Sequence, residues 1–153
     1  MSTAPFLLDT SVLLHLARSS ELGTRMTAHF WLDHSIYRPL ISIVSMGEIM
    51  ALAAYRGWGE EKQRFLSAML STLVILDIND QSVLDAYVEL YVAARRAGSA
   101  IQNSNDLWIA ATAKAAGAVL LTTDKDFLVF HPSHVPVEYV DPNLASPSAQ
   151  VNP

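Results

Sequence analysis

The sequence predicts a single α/β domain, an α/β/α sandwich built on a mainly parallel sheet. Three observations carry that expectation. Short apolar runs of strand length alternate with longer stretches that carry helix-start signals. The joins between them hold Gly, Asn, Asp and Ser, the residues that cap helices and close turns. A composition of 51% hydrophobic and only 16% charged residues, over 153 positions, is ample for one well-filled core.

Taken in order, Phe6-Leu7-Leu8 reads as a short strand, and after Asp9-Thr10-Ser11 the run VLLHLA (12–17) belongs to a helix. Residues 21–33 predict a second helix. LISIV (40–44) is a strand or an extended lead-in, and Ser45-Met46-Gly47-Glu48 has the S-x-x-E form of a capping box opening IMALAAY (49–55). Gly57 and Gly59 stop that helix, and residues 60–70 start another. LVILDI (73–78) predicts a strand. Asn79-Asp80 caps a long helix ending at Arg95, Arg96 and Gly98, where basic side chains followed by Gly are ordinary termination chemistry. SAIQNSN (99–105) is a polar loop, DLWIAATAKAA (106–116) an alanine-rich helix able to lie close to a sheet, and AVLLT (118–122) and VEYV (137–140) are strands. Residues 1–140 form the expected domain. The proline- and serine-rich stretch 141–153 is a flexible tail.

No apolar run approaches the roughly 18 residues that span a bilayer, and MSTAPFLLDT lacks the basic start and cleavage pattern of a secretory signal, so the expected location is the cytoplasm with no membrane partner. Zero cysteines exclude disulfides, thiolate metal sites and thiol nucleophiles. Fifteen acids against ten bases argue at first against a nucleic-acid partner. That inference weakens once the acids are sorted, because removing five gathered in one site leaves ten against ten.

Those five are Asp9, Glu48, Asp106, Asp124 and Asp126. In a parallel sheet, ligands bind beyond the carboxyl ends of the strands, where loops and helix N-termini meet. Asp9 follows the first strand, Asp124 and Asp126 follow VLLTT, and Glu48 and Asp106 open helices, so all five fall on one rim. Each acid alone has an ordinary explanation as a helix cap, a first-turn acid or a solvated turn residue. Independent capping does not predict that four separate segments deliver an acid to the same kind of position. Crowded carboxylates raise one another's pKa unless cations hold them ionised. Oxygen-only ligands suit Mg²⁺ or Mn²⁺ better than zinc, and such an ion fits phosphodiester cleavage.

FLLDTSVLLHL (6–16), ISIVSMGEIMAL (41–52) and NDLWIAATAKAAGAVLLTTDKDF (105–127) together resemble the PIN domain family, and within it the VapC-type toxin ribonucleases of toxin-antitoxin pairs. The last segment is the most specific, with an acid opening an Ala-rich helix, then a strand, then T-x-D-x-D-F. The resemblance covers about residues 5–140. It implies a compact α/β/α fold and a Mg²⁺- or Mn²⁺-dependent endoribonuclease acting on RNA, a homodimer held inactive by a cognate antitoxin. Asp9, Glu48, Asp106 and Asp124 match the family's four acidic positions and Asp126 a frequent fifth. Within this frame Asp9, Asp106 and Asp124 are the metal ligands, with Asp126 a further candidate. Glu48 binds metal through water or orients the attacking water. Ser11 stands where many relatives carry Asn. Thr122 can support an acid or a substrate phosphate, and Lys125, between two site acids, can meet RNA phosphate or balance charge.

The weaker signals are ordinary. Trp31, Trp58 and Trp108 can stack on unpaired bases, although aromatics at helical spacing usually fill cores. The histidines show no metal spacing. Three rivals remain. A haloacid-dehalogenase-type phosphatase needs a second Asp at position 11, where Ser stands; a receiver-like domain needs its acid pair at the first strand; a PIN-like module without catalysis would serve binding alone.

Overall fold

The computed structural model describes residues 4–33, 36, 38–101 and 103–143. Five three- or four-residue strands form one sheet in the order β3-β2-β1-β4-β5, every neighbouring pair parallel. They are β1 (Phe6–Leu8), β2 (Leu40–Ser42), β3 (Val74–Leu76), β4 (Val119–Thr122) and β5 (Val137–Tyr139). The sheet is therefore wholly parallel rather than mainly so. The helices are α1 (Thr10–Ala17), α2 (Glu21–Phe30), α3 (Ile43–Tyr55), α4 (Glu60–Ser71), α5 (Gln81–Arg96) and α6 (Ser104–Ala115). A 3₁₀ helix, Lys125–Phe130, follows β4.

Two cores, one on each face of the sheet, make the sandwich. Leu7 and Leu120 face α5, α6 and Phe127, while Leu8, Ile41 and Leu121 face α1, α3 and α4. Central parallel strands must be apolar on both sides, which is why β1 and β4 carry consecutive Leu residues instead of alternating ones. Ala110, Ala111 and Ala113 are fully buried, so α6 presses its small side chains against the sheet as its composition predicts.

Several boundaries differ from the sequence expectation. The second helix ends at Phe30, because Trp31 takes the left-handed conformation (φ 58°) and closes it. In LISIV the strand stops at Ser42, whose hydroxyl accepts the Val44 N–H at 3.1 Å and caps a helix that begins at Ile43. Ser45 and Glu48 therefore lie inside α3, and the expected capping box does not exist. LVILDI contributes only Val74–Leu76 to the sheet. α6 starts at Ser104 under an Asn103 cap, two residues before Asp106. Of the expected tail, Asp141–Asn143 form a turn closed by the Asn143 N–H on Asp141; residues 144–153 lie outside the described residues.

Candidate active site

The strand order runs outward from β1 in both directions, to β2 and β3 on one side and to β4 and β5 on the other. In such sheets the reversal, here between β1 and β4, marks where ligands bind beyond the carboxyl ends of the strands. Asp9 leaves β1 there and caps α1, its Oδ1 accepting the Thr10 N–H at 2.7 Å. Its other oxygen is more heavily committed: Oδ2 accepts the hydroxyls of Ser11 and Thr122, both at 2.8 Å. Those hydroxyls in turn accept the N–H groups of Thr123 (3.2 Å) and Asp124 (2.9 Å), so the backbone leaving β4 is stitched to the carboxylate leaving β1. Asp9 is only 4% exposed. Burial pushes its pKa up, the three hydrogen bonds pull it back, and the charge of Asp124 adds to the rise.

Glu48 projects from α3, held at both oxygens. The Thr10 hydroxyl donates to Oε1 at 2.7 Å and the Asn105 amide to Oε2 at 3.3 Å. Asp106, in the first turn of α6, is half-buried and has its pKa raised to about 7. Burial is the largest cause. The charges of Asp9, Asp124, Glu48 and Asp126 follow, so the field at Asp106 is made by the other four acids of the group. Asp124 caps the 3₁₀ helix by accepting the Asp126 N–H at 2.9 Å. Lys125 is exposed on the outer side of that turn.

The fold thus brings all five sequence-predicted acids to one rim, and all but Glu48 also perform a local capping or first-turn role. Among the described residues no Lys, Arg or His forms an ion pair with any of the five. Among the described residues no three Asp, Glu or His side chains sit at the spacing of a ligand shell. The donors are oxygen only and their net charge is strongly negative, which suits a hard divalent ion.

The PIN domain family model matches residues 6–130. The chain belongs to the PIN domain family. The search of curated proteins gave no match. Solved structures agree with the fold. VapBC2 from Rickettsia felis, bound to a DNA fragment from its promoter, aligns with a TM-score of 0.75 at 24% identity, over 88% of this chain and 97% of that one. FitAcB from Neisseria gonorrhoeae aligns at 0.68 with 26% identity over 91% and 99%. A toxin-antitoxin complex from Klebsiella pneumoniae aligns at 0.62 with 26% identity over 86% and 94%.

In this PIN domain, sequence reasoning passed over two polar residues of the rim. Thr10 and Asn105 both donate to Glu48, and Ser45, expected instead as the cap of that helix, lies 2.9 Å behind the Thr10 hydroxyl. Their signal was adjacency: Thr10 follows Asp9 and Asn105 precedes Asp106, so each sits on the element that delivers an acid. Trp108 lies two residues after Asp106, yet its ring stacks on Tyr87 with centroids 4.0 Å apart and packs against the core. Trp58 sits under the Lys62 ammonium at 4.9 Å, and Trp31 is exposed at the end of α2. Among the described residues, no helix is long and apolar enough to cross a membrane.

Proposed function

We propose that this PIN domain is a divalent-cation-dependent endoribonuclease and the toxin of a toxin-antitoxin pair. One observation carries the reading. Four segments far apart in the chain bring Asp9, Glu48, Asp124 and Asp126 around Asp106 on one rim of the sheet, where their charges add to burial in raising its pKa. A fold that only needed helix caps has no reason to bear that repulsion.

Asp9, Asp106 and Asp124, with Asp126 beside them, would hold a Mg²⁺ or Mn²⁺ ion. When bound, the ion supplies Lewis-acid stabilisation of a phosphodiester and lowers the pKa of a coordinated water. The residues do the rest. Ser11 and Thr122 occupy Asp9 Oδ2 and the Thr10 N–H takes one site of Oδ1, so the carboxylate is fixed and one acceptor site on Oδ1 is left for an ion. Glu48, held at both oxygens, orients water as an acceptor, and Lys125 meets a substrate phosphate from the exposed side. With its hydroxyl committed to Asp9 and the Asp124 amide, Thr122 supports the acids rather than the substrate. The same use of Ser11 leaves no aspartate there for phosphatase chemistry. The Klebsiella pneumoniae structure is a toxin-antitoxin complex, which supports a cognate antitoxin as partner. Family resemblance supports a homodimer working in the cytoplasm.

The test is cleavage of a mixed RNA pool by wild type, Asp9→Asn and Asp106→Asn, each with Mg²⁺, with Mn²⁺ and with chelator. Cleavage only by wild type and only with metal supports the reading. Cleavage that survives chelator, or both substitutions, refutes it, and no cleavage by wild type under any condition favours a binding module without catalysis.

A further inference from the structure

We propose that Thr10 is a positioning residue that sets the spacing between Asp9 and Glu48, an inference that rests on the cation-site reading above. Thr10 has two donors and spends both on acids of the rim. Its N–H reaches Asp9 Oδ1 at 2.7 Å and its hydroxyl reaches Glu48 Oε1 at 2.7 Å. One residue therefore touches the carboxylates delivered by β1 and by α3. Their separation is limited by the dimensions of a single threonine.

The back of this clamp is closed as well. Thr10 Oγ1 lies 2.9 Å from the hydroxyl of Ser45, which is fully buried. A hydroxyl has one proton and a carboxylate can only accept, so the proton of Thr10 goes to Glu48 and Ser45 donates into Thr10. The resulting relay, Ser45 to Thr10 to Glu48, aims the carboxylate from the core outward. On its other oxygen Glu48 takes the amide of Asn105 at 3.3 Å, the neighbour of Asp106. Glu48 is thus tied to the two elements that deliver Asp9 and Asp106. A carboxylate gripped in this way loses rotamer freedom before any ion arrives, and outer hydrogen bonds of this kind are typically worth about 10- to 100-fold in metal affinity or activity.

Thr10→Val removes the hydroxyl while keeping the shape and the N–H bond to Asp9; Thr10→Ser keeps the hydroxyl. Mn²⁺ binding is followed by the electron paramagnetic resonance signal of free Mn²⁺, and RNA cleavage is followed at saturating Mn²⁺. We expect Thr10→Val to weaken Mn²⁺ binding about 10-fold and to lower kcat about 10-fold with KM for RNA unchanged, and Thr10→Ser to stay within about threefold of wild type. Should Thr10→Val not fold, Thr10→Ala, which also removes the hydroxyl and keeps the N–H bond to Asp9, carries the test with the same expected loss of about 10-fold in Mn²⁺ affinity. Wild-type affinity and kcat in Thr10→Val, or in Thr10→Ala if that variant is used, overturns the clamp alone. So does an equal fall in Thr10→Val and Thr10→Ser. Absence of saturable Mn²⁺ binding by wild type overturns the cation site itself and the clamp with it.

Discussion

The hydroxyl of Thr122 donates to Asp9 Oδ2 at 2.8 Å, joining the ends of two adjacent parallel strands across 113 residues of sequence. Both partners are buried, and the same hydroxyl accepts the Asp124 N–H. Thr122→Val would strand a buried carboxylate and a backbone donor together. Loss of one such partner costs about 1–3 kcal/mol, so urea denaturation at pH 7 should show a deficit of that size, and Thr122→Ser less than about 1 kcal/mol. Because the bond favours the ionised form of Asp9, the deficit should shrink at low pH, where Asp9 is protonated folded or unfolded. A pH-independent deficit would show that lost packing, not the hydrogen bond, is the cause.

The acid cluster should make the metal-free protein less stable as pH rises. Asp106 has an ordinary pKa of 3.8 when exposed and about 7 in the fold. Between those values the folded state keeps a proton that the unfolded state has released, so stability falls from about pH 4 to about pH 7. Asp80 and Glu89, whose pKa values are lowered chiefly by hydrogen bonds from Ser82 and from Lys114, lose their contribution only at lower pH. His15, lowered by burial, works in the opposite direction near pH 6.5. The difference between wild type and Asp106→Asn cancels these other groups. In chelator at pH 7.5 Asp106→Asn should be more stable by on the order of 1 kcal/mol, after solvent screening at this partly exposed carboxyl, or about 2–4 °C in Tm. At pH 4 the gain should vanish.

Gly23 is where α2 crosses α1 at contact distance. A Cβ there would meet the His15 carbonyl oxygen at 2.5 Å and its carbon at 2.8 Å, both backbone atoms that cannot swing aside. Gly23→Ala should therefore destabilise by about 1–3 kcal/mol despite alanine's better helix propensity, which alone would favour it by about 1 kcal/mol. Thermal unfolding checks the sign. A stabilised variant would show that the two helices can part at little cost.

Much of this architecture was legible because it rests on short-range signals. The alternation of apolar runs with capped helices revealed the parallel sandwich, and acids placed after strand ends revealed the rim. The failures are equally local. Ile43 and Val44 are β-branched and extend the look of a strand, yet the Ser42 hydroxyl on the Val44 N–H starts a helix there, and this moved Glu48 from a supposed cap into the body of α3. The 3₁₀ helix after β4 was invisible because its driving contacts, burial of Phe127 and Phe130 in the core, are tertiary. Thr10 and Asn105 looked like any polar residue beside a helix start. Only the fold places Thr10 opposite a glutamate 38 positions away, and Asn105 opposite the same glutamate 57 positions away.

The central claim is that these carboxylates are gathered for a divalent ion, and the most direct test is the order of two melting temperatures. At pH 7.5 in chelator, Asp106→Asn should melt above wild type. With Mn²⁺ at about 100 times its dissociation constant, wild type should gain about 2.7 kcal/mol while Asp106→Asn gains much less, so that the order inverts. If Mn²⁺ leaves wild type unchanged, or raises both proteins equally, the acids do not form a cation site.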